Sequence, residues 1–213
     1  VRISYTLFFA DIDYLLSEDQ WGYILFSQQV SESGFLGMDT QRVPGYPWLI
    51  SFIKNLLGES LWFVITFQLI LDSLTCVVIA LMAKSLFGKG FWIAGGLSAM
   101  NLNMIILSNS LLTDTLFLFL FVIFLFSLNQ YFKNHSIWWF IGLVVSISIA
   151  TLVRGSTYYL LPILFFSLLG WRLWQRDSLL KIGGLALIYI FIAAIALGGI
   201  HQRNYQEYGS KAL

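Results

Sequence analysis

Long apolar runs separated by short polar breaks make up most of the chain. A bilayer core about 30 Å thick takes roughly 20 apolar residues per helix. That length picks out runs at 60–82 (continuing toward Phe87), 91–107, 111–128, 137–153, 157–171 and 179–199. The pattern predicts an all-α, polytopic membrane helix bundle: a single transmembrane domain over 1–213, with about six spans in 60–199. Residues 1–10 read as the tail of an earlier span. Residues 200–213 read as the start of an outer loop. The start at Val1 rather than Met and the end at Leu213 read as a piece of a longer protein.

The stretch 11–58 breaks the pattern. It is polar, and it predicts two short amphipathic helices. Ser17 and Gln20 have the S-x-x-Q spacing of a capping box, and Trp21, Ile24 and Leu25 then share one helical face. A second helix starts at Pro47, a residue favoured in a first turn. Leu49, Phe52, Ile53 and Leu56 form its apolar stripe, and Gly58 closes it. Helices of this kind lie in the membrane interface rather than cross the bilayer.

Composition supports the membrane class. The chain is 58% hydrophobic and 11% charged, against about 25% charged residues in an ordinary soluble domain. Its mean hydropathy is +0.79. A net charge of +1, with no basic run, gives no support for nucleic-acid binding. Cys76 is the only cysteine, so no intrachain disulfide forms.

Charge also orients the chain. Lys84, Lys89, Lys133, Arg172, Arg176 and Lys181 fall in the breaks of one side, the expected cytoplasm. Asp11, Asp13, Glu18, Asp19, Glu32, Asp39 and Glu59, seven of the eleven acids, precede the first full span. The loop 11–58 is therefore expected to face outward.

An acidic outer loop ahead of a membrane bundle directs attention to its carboxylates. Asp19 suits a general base that takes a proton from an incoming hydroxyl, and it equally suits a helix cap. Arg42 precedes Pro44-Gly45-Tyr46-Pro47, which holds two of the chain's three prolines. Their fixed φ makes a stiff corner that turns the loop back to the bilayer. Asp114 opens the third run, where the helix dipole alone favours an acid. As a site residue it would be a second acid on the Asp19 side, able to help bind an acceptor or a metal. Arg154 ends the fourth run. Its guanidinium matches a lipid phosphate, and snorkelling to headgroups is the plainer reading. Asp72 lies mid-span, where a charge needs a partner or a polar cavity. His201 reads as a surface residue. No serine-hydrolase elbow, HExxH helix, Walker loop or paired-cysteine motif is present.

In order, these pieces resemble GT-C glycosyltransferases, and most of all the bacterial branch related to protein O-mannosyltransferases and lipid A aminoarabinose transferase. Asp19-Gln20-Trp21-Gly22-Tyr23 followed by Arg42-Val43-Pro44-Gly45-Tyr46-Pro47 resembles the "D-S-x-x-Y … R-x-P-G-Y-P" first outer loop. Ser110 to Phe117 resembles the acidic residue opening a Leu/Phe-rich span. Thr151-Leu152-Val153-Arg154-Gly155 resembles the "R-P" element, with Gly155 in place of Pro. Arg203-Asn204-Tyr205-Gln206-Glu207-Tyr208-Gly209 resembles "R-N-Y-x-x-F-G". The resemblance runs from Asp19 to Gly209.

It implies a polyprenyl-phosphate-linked sugar as donor, and a lipid, glycan or protein as acceptor. Transfer would be inverting, on the outer face of a bacterial inner membrane. Asp19 would be the general base. Arg154 and Arg203 would hold the donor phosphate, Asp114 would orient the acceptor, and Arg42 and Tyr46 would complete the substrate-binding set. Some relatives use a divalent metal and others do not, so Asp19 and Asp114 stand as metal candidates with the question open. The rival reading is a non-catalytic membrane subunit or a polysaccharide or lipid transporter. A transporter calls for buried charges along several spans, and Asp72 alone qualifies.

Overall fold

The computed structural model describes residues 4–6, 17–34 and 43–209, which are helical with no strand among them. After the helical residues 4–6 come two short helices: α1 (Glu18–Ser33) and α2 (Gly45–Leu57). Then follow α3 (Leu61–Phe87), α4 (Phe91–Ala99), α5 (Leu102–Ser108), α6 (Asp114–Asn134) and α7 (Ile137–Val153). A 3-10 turn (Gly155–Tyr159) leads to α8 (Leu160–Trp174) and α9 (Leu179–Tyr208).

Among the described residues three helices are long and apolar enough to cross a membrane: α3, α6 and the Leu179–Gln202 part of α9; the bent pair α4–α5 makes a fourth if it is one span. At 1.5 Å per residue, the 27 residues of α3 reach about 40 Å. Gly88 stops α3 in the left-handed region at φ 71°, where glycine carries no Cβ penalty, and donates its N–H to the Lys84 carbonyl. The run 91–107 is mostly apolar but is not one straight helix. It bends by 55° between α4 and α5. Asn101 sits at the break and accepts a hydrogen bond from the Met104 N–H at 3.2 Å. Asparagine there stabilises a new helix start, and that local preference overrides the continuous apolar pattern.

The centre of the bundle is α7. It has only 17 residues, yet ten are buried, so hydrophobic faces surround it rather than lipid alone. It packs on α6, on α9 and on the start of α2. Phe140, Leu143, Val144, Ile147, Ala150 and Leu152 form its share of the main core. A second cluster joins Ile24 of α1, Tyr46, Ile50 and Ile53 of α2, Val64 and Ile65 of α3, and Leu111. This cluster seats the two short helices on one end of the bundle.

Those helices differ from their expected forms. α1 buries Ile24, while Trp21 and Leu25 are exposed. α2 begins at Gly45 rather than Pro47, and its buried face is Tyr46, Ile50 and Ile53. Phe52 and Leu56, placed in the same stripe by spacing, point outward. Residues 200–208, expected to open a loop, continue α9.

The opposite end gathers the basic residues. Lys133 donates to the Ser85 carbonyl and hydroxyl, and Asn129 donates to the same hydroxyl at 2.7 Å. These bonds tie the last turn of α6 to the last turn of α3.

Candidate functional site

The end carrying α1 and α2 is built around two glutamines. Gln68 lies two turns into α3 and is fully buried. Its side-chain oxygen accepts from the Tyr46 hydroxyl. Its nitrogen donates to the Ser108 carbonyl at 3.2 Å and the Ser110 carbonyl at 2.8 Å. A buried amide must find such partners, because leaving them unmade costs about 1–3 kcal/mol each. Gln20 of α1 reaches the same segment, its side-chain oxygen accepting from the Leu111 N–H at 3.0 Å. The expected capping box is therefore absent: Ser17 is the N-cap, and it makes no side-chain cap bond. Together the glutamines clamp 108–111, the break between α5 and α6.

Asp114 opens α6 directly after that clamp. Arg154 ends α7 opposite it and donates to the Asp114 carboxylate at 3.0 Å. The Arg154 side chain is 50% exposed and that of Asp114 33%, so the pair adds at most about 1 kcal/mol to stability. Its consequence is positional. The Arg154 guanidinium also lies 5.6 Å from the Phe117 ring centre. One of its five N–H donors goes to Asp114.

The Pro-Gly-Tyr-Pro corner is packed under this pair. Gly45 presses on the end of α7, where an added Cβ would sit 2.5 Å from the Leu152 carbonyl oxygen. Only glycine fits. The carbonyl of Arg154 accepts from the Thr157 N–H at 3.2 Å and the Thr157 hydroxyl at 2.9 Å, which fixes the turn after α7. Tyr46, counted among the substrate-binding candidates, is 0% exposed. Its ring meets Tyr23 edge-on at 5.1 Å. Burial holds the Tyr46 hydroxyl well above its usual 10.0, with smaller pushes from Tyr23 and the Asp114 charge.

Asp19 lies in the first turn of α1 with an exposed side chain, next to the Gln20 anchor. The N-cap role open to it in the sequence belongs to Ser17 instead. Arg42 lies outside the described residues. Arg203 falls within α9, and its side chain is likewise outside the description. Asp72 is buried and has an interaction partner. Among the described residues no group of three or more His, Cys, Asp or Glu is placed to hold a metal ion. An apolar groove of about 640 Å³ runs from Gly45, Leu152 and Val153 past Leu116 to Trp48 and Phe52. It starts beside Arg154.

Gln20 and Gln68 are what the sequence reading missed. The signal for Gln68 was present: an amide inside an apolar span, where a polar group needs a partner.

Residues 41–196 match the model of the dolichyl-phosphate-mannose-protein mannosyltransferase family. The chain belongs to that family. It is an integral membrane glycosyltransferase of the GT-C type. The matched region of this glycosyltransferase contains Arg42, Tyr46, Gln68, Asp114 and Arg154, while Asp19 and Arg203 fall outside it. No curated protein and no solved structure matches the chain.

Proposed function

We propose that this glycosyltransferase moves a sugar from a polyprenyl-phosphate donor to an acceptor at the membrane's outer face, in the site formed by Asp114, Arg154 and the start of α1. The observation that carries this reading is the half-exposed Asp114–Arg154 pair. It presents a half-exposed guanidinium at the end of α7, and the apolar groove is lined by Leu152 and Val153 just before it in the chain. That combination suits an amphiphile with a phosphate head and a hydrocarbon tail.

In this mechanism Arg154 holds the donor phosphate, and the prenyl chain follows the groove. The acceptor oxygen or nitrogen attacks the sugar carbon from the side opposite the phosphate. The carbon–oxygen bond to phosphate breaks as the new glycosidic bond forms, so the configuration inverts. Asp19 takes the acceptor's proton. The departing phosphate changes from a singly charged diester to a monoester of about −1.5 to −2. Arg154 stabilises the added charge through interactions that strengthen in the transition state. Asp114 keeps the guanidinium aimed. Tyr46, held neutral and buried, supports the site from beneath.

Full-length protein given a radiolabelled polyprenyl-phosphate sugar tests the proposal. Transfer of label is expected, and Arg154→Gln is expected to lower kcat/KM by about 100-fold, in line with loss of a charge-stabilising donor. Transfer unaffected by Arg154→Gln would contradict the assignment.

A further inference from the structure

At the opposite end of the bundle, a cleft of about 580 Å³ opens between the α6–α7 junction, α8 and α9. That volume lies within the roughly 300–1,000 Å³ typical of small-ligand sites. Its walls divide by polarity. Arg172, Asp177 and Lys181 supply its charged groups, and Ile137, Gly184, Leu185 and Ile188 form the apolar side. We propose that this cleft binds one anionic glycerophospholipid of the leaflet at that end, with its phosphate between Arg172 and Lys181 and an acyl chain over Gly184.

Arg172 is held for such a role. Its Nε and Nη2 donate to the Tyr131 hydroxyl at 2.8 and 2.6 Å, and its Nη1 donates to Asp177 at 2.6 Å. The guanidinium also lies 5.0 Å from the Trp171 ring centre. Three of five donors are thereby fixed, and two remain on a side chain that lines the cleft. Asp177 offsets one positive charge, and Lys181 restores the excess. Basic clefts between membrane helices suit anionic headgroups.

The apolar side points to a tail. Glycine within a helix costs about 1 kcal/mol relative to alanine, and a tight contact often explains its presence in a membrane helix. Gly184 has no such contact, since an added Cβ would meet nothing within 4 Å. It widens the cleft below Lys181 by the width of a side chain. The proposal is independent of the transfer site, which lies at the other end.

Native mass spectrometry of the full-length protein, given equimolar phosphatidylglycerol and phosphatidylcholine, tests it. One phosphatidylglycerol is expected to be retained in preference. Lys181→Gln is expected to weaken its binding about fivefold, the contribution of one basic residue near an anionic lipid. Gly184→Leu, which has room to fold, is expected to abolish the preference. Lys84→Gln, at the same end but away from the cleft, is expected to leave it unchanged. Equal retention of the two lipids would overturn the proposal. So would equal losses in Lys181→Gln and Lys84→Gln, which would show only surface attraction. Cross-linking of Gly184→Cys to a second copy would overturn it too, by showing that protein covers the cleft.

Discussion

Tyr46 sets the limits of what a single residue contributes here. Its hydroxyl is the donor that satisfies Gln68, and no water reaches either group. Tyr46→Phe leaves that buried amide oxygen unpaired, which is expected to cost about 1–3 kcal/mol. A thermal melt in detergent measures the loss. The same residue gives a pH signature. A folded-state pKa raised above 10.0 means that the unfolded chain gives up this proton first. Stability from Tyr46 is therefore complete below pH 10 and declines as pH climbs beyond it. Tyr46→Phe is expected to remove that part of the alkaline decline. An identical decline in both proteins would place its origin elsewhere. The family resemblance grouped Tyr46 with the substrate-binding set, and sequence gives no sign of its burial. Only the packing of α2 on α3 buries it.

Among elements, the corner before α2 and the end of α7 act as one unit. Gly45 lies against the Leu152 carbonyl, two residues before Arg154. Gly45→Ala forces the two backbones apart, and overpacking of this kind costs about 1–3 kcal/mol. It is also expected to raise the KM for donor, because Arg154 is displaced. Gly155→Ala is the control: its Cβ would lie 3.4 Å from the Val43 side chain, an ordinary contact, so near-wild-type melting and KM are expected. Equal effects of the two substitutions would contradict the coupling.

Hydropathy made the helices legible, since length and apolar content suffice for α3, α6 and α9. The break at Asn101 was not, because a single capping residue outweighed an apolar run. The capping-box spacing at Ser17 and Gln20 failed for a related reason. A local pattern cannot reveal that Gln20 has a partner at Leu111, 91 residues away. Asp114 and Arg154 were both visible as charges at the ends of apolar runs. Their pairing at 3.0 Å follows from α6 and α7 packing side by side, with the residue that caps the end of α7 beside the first residue of α6.

For the whole molecule, the two ends have opposite characters. One holds Asp114, Arg154 and the acidic α1. The other holds Lys84, Lys133, Arg172 and Lys181. The expected orientation, basic end inward, is testable because Cys76 is the only cysteine and is buried. In intact cells, a membrane-impermeant thiol reagent is expected to label Glu59→Cys and not Gln175→Cys. The reverse result would invert the topology and move the transfer site to the cytoplasmic face. Each end holds a guanidinium against one carboxylate: Arg154 beside Asp114 and the Phe117 ring, Arg172 beside Asp177 and the rings of Tyr131 and Trp171.

Asp19 lies outside the matched family region, so its role rests on chemistry and placement. The most direct measurement is the rate of sugar transfer by full-length Asp19→Asn, with radiolabelled polyprenyl-phosphate sugar at saturating donor. Asparagine keeps the size of the side chain and removes the base. The account predicts a fall in kcat of about 100-fold or more, with donor KM little changed and partial recovery in Asp19→Glu. An Asp19→Asn enzyme that transfers sugar at the wild-type rate would contradict it.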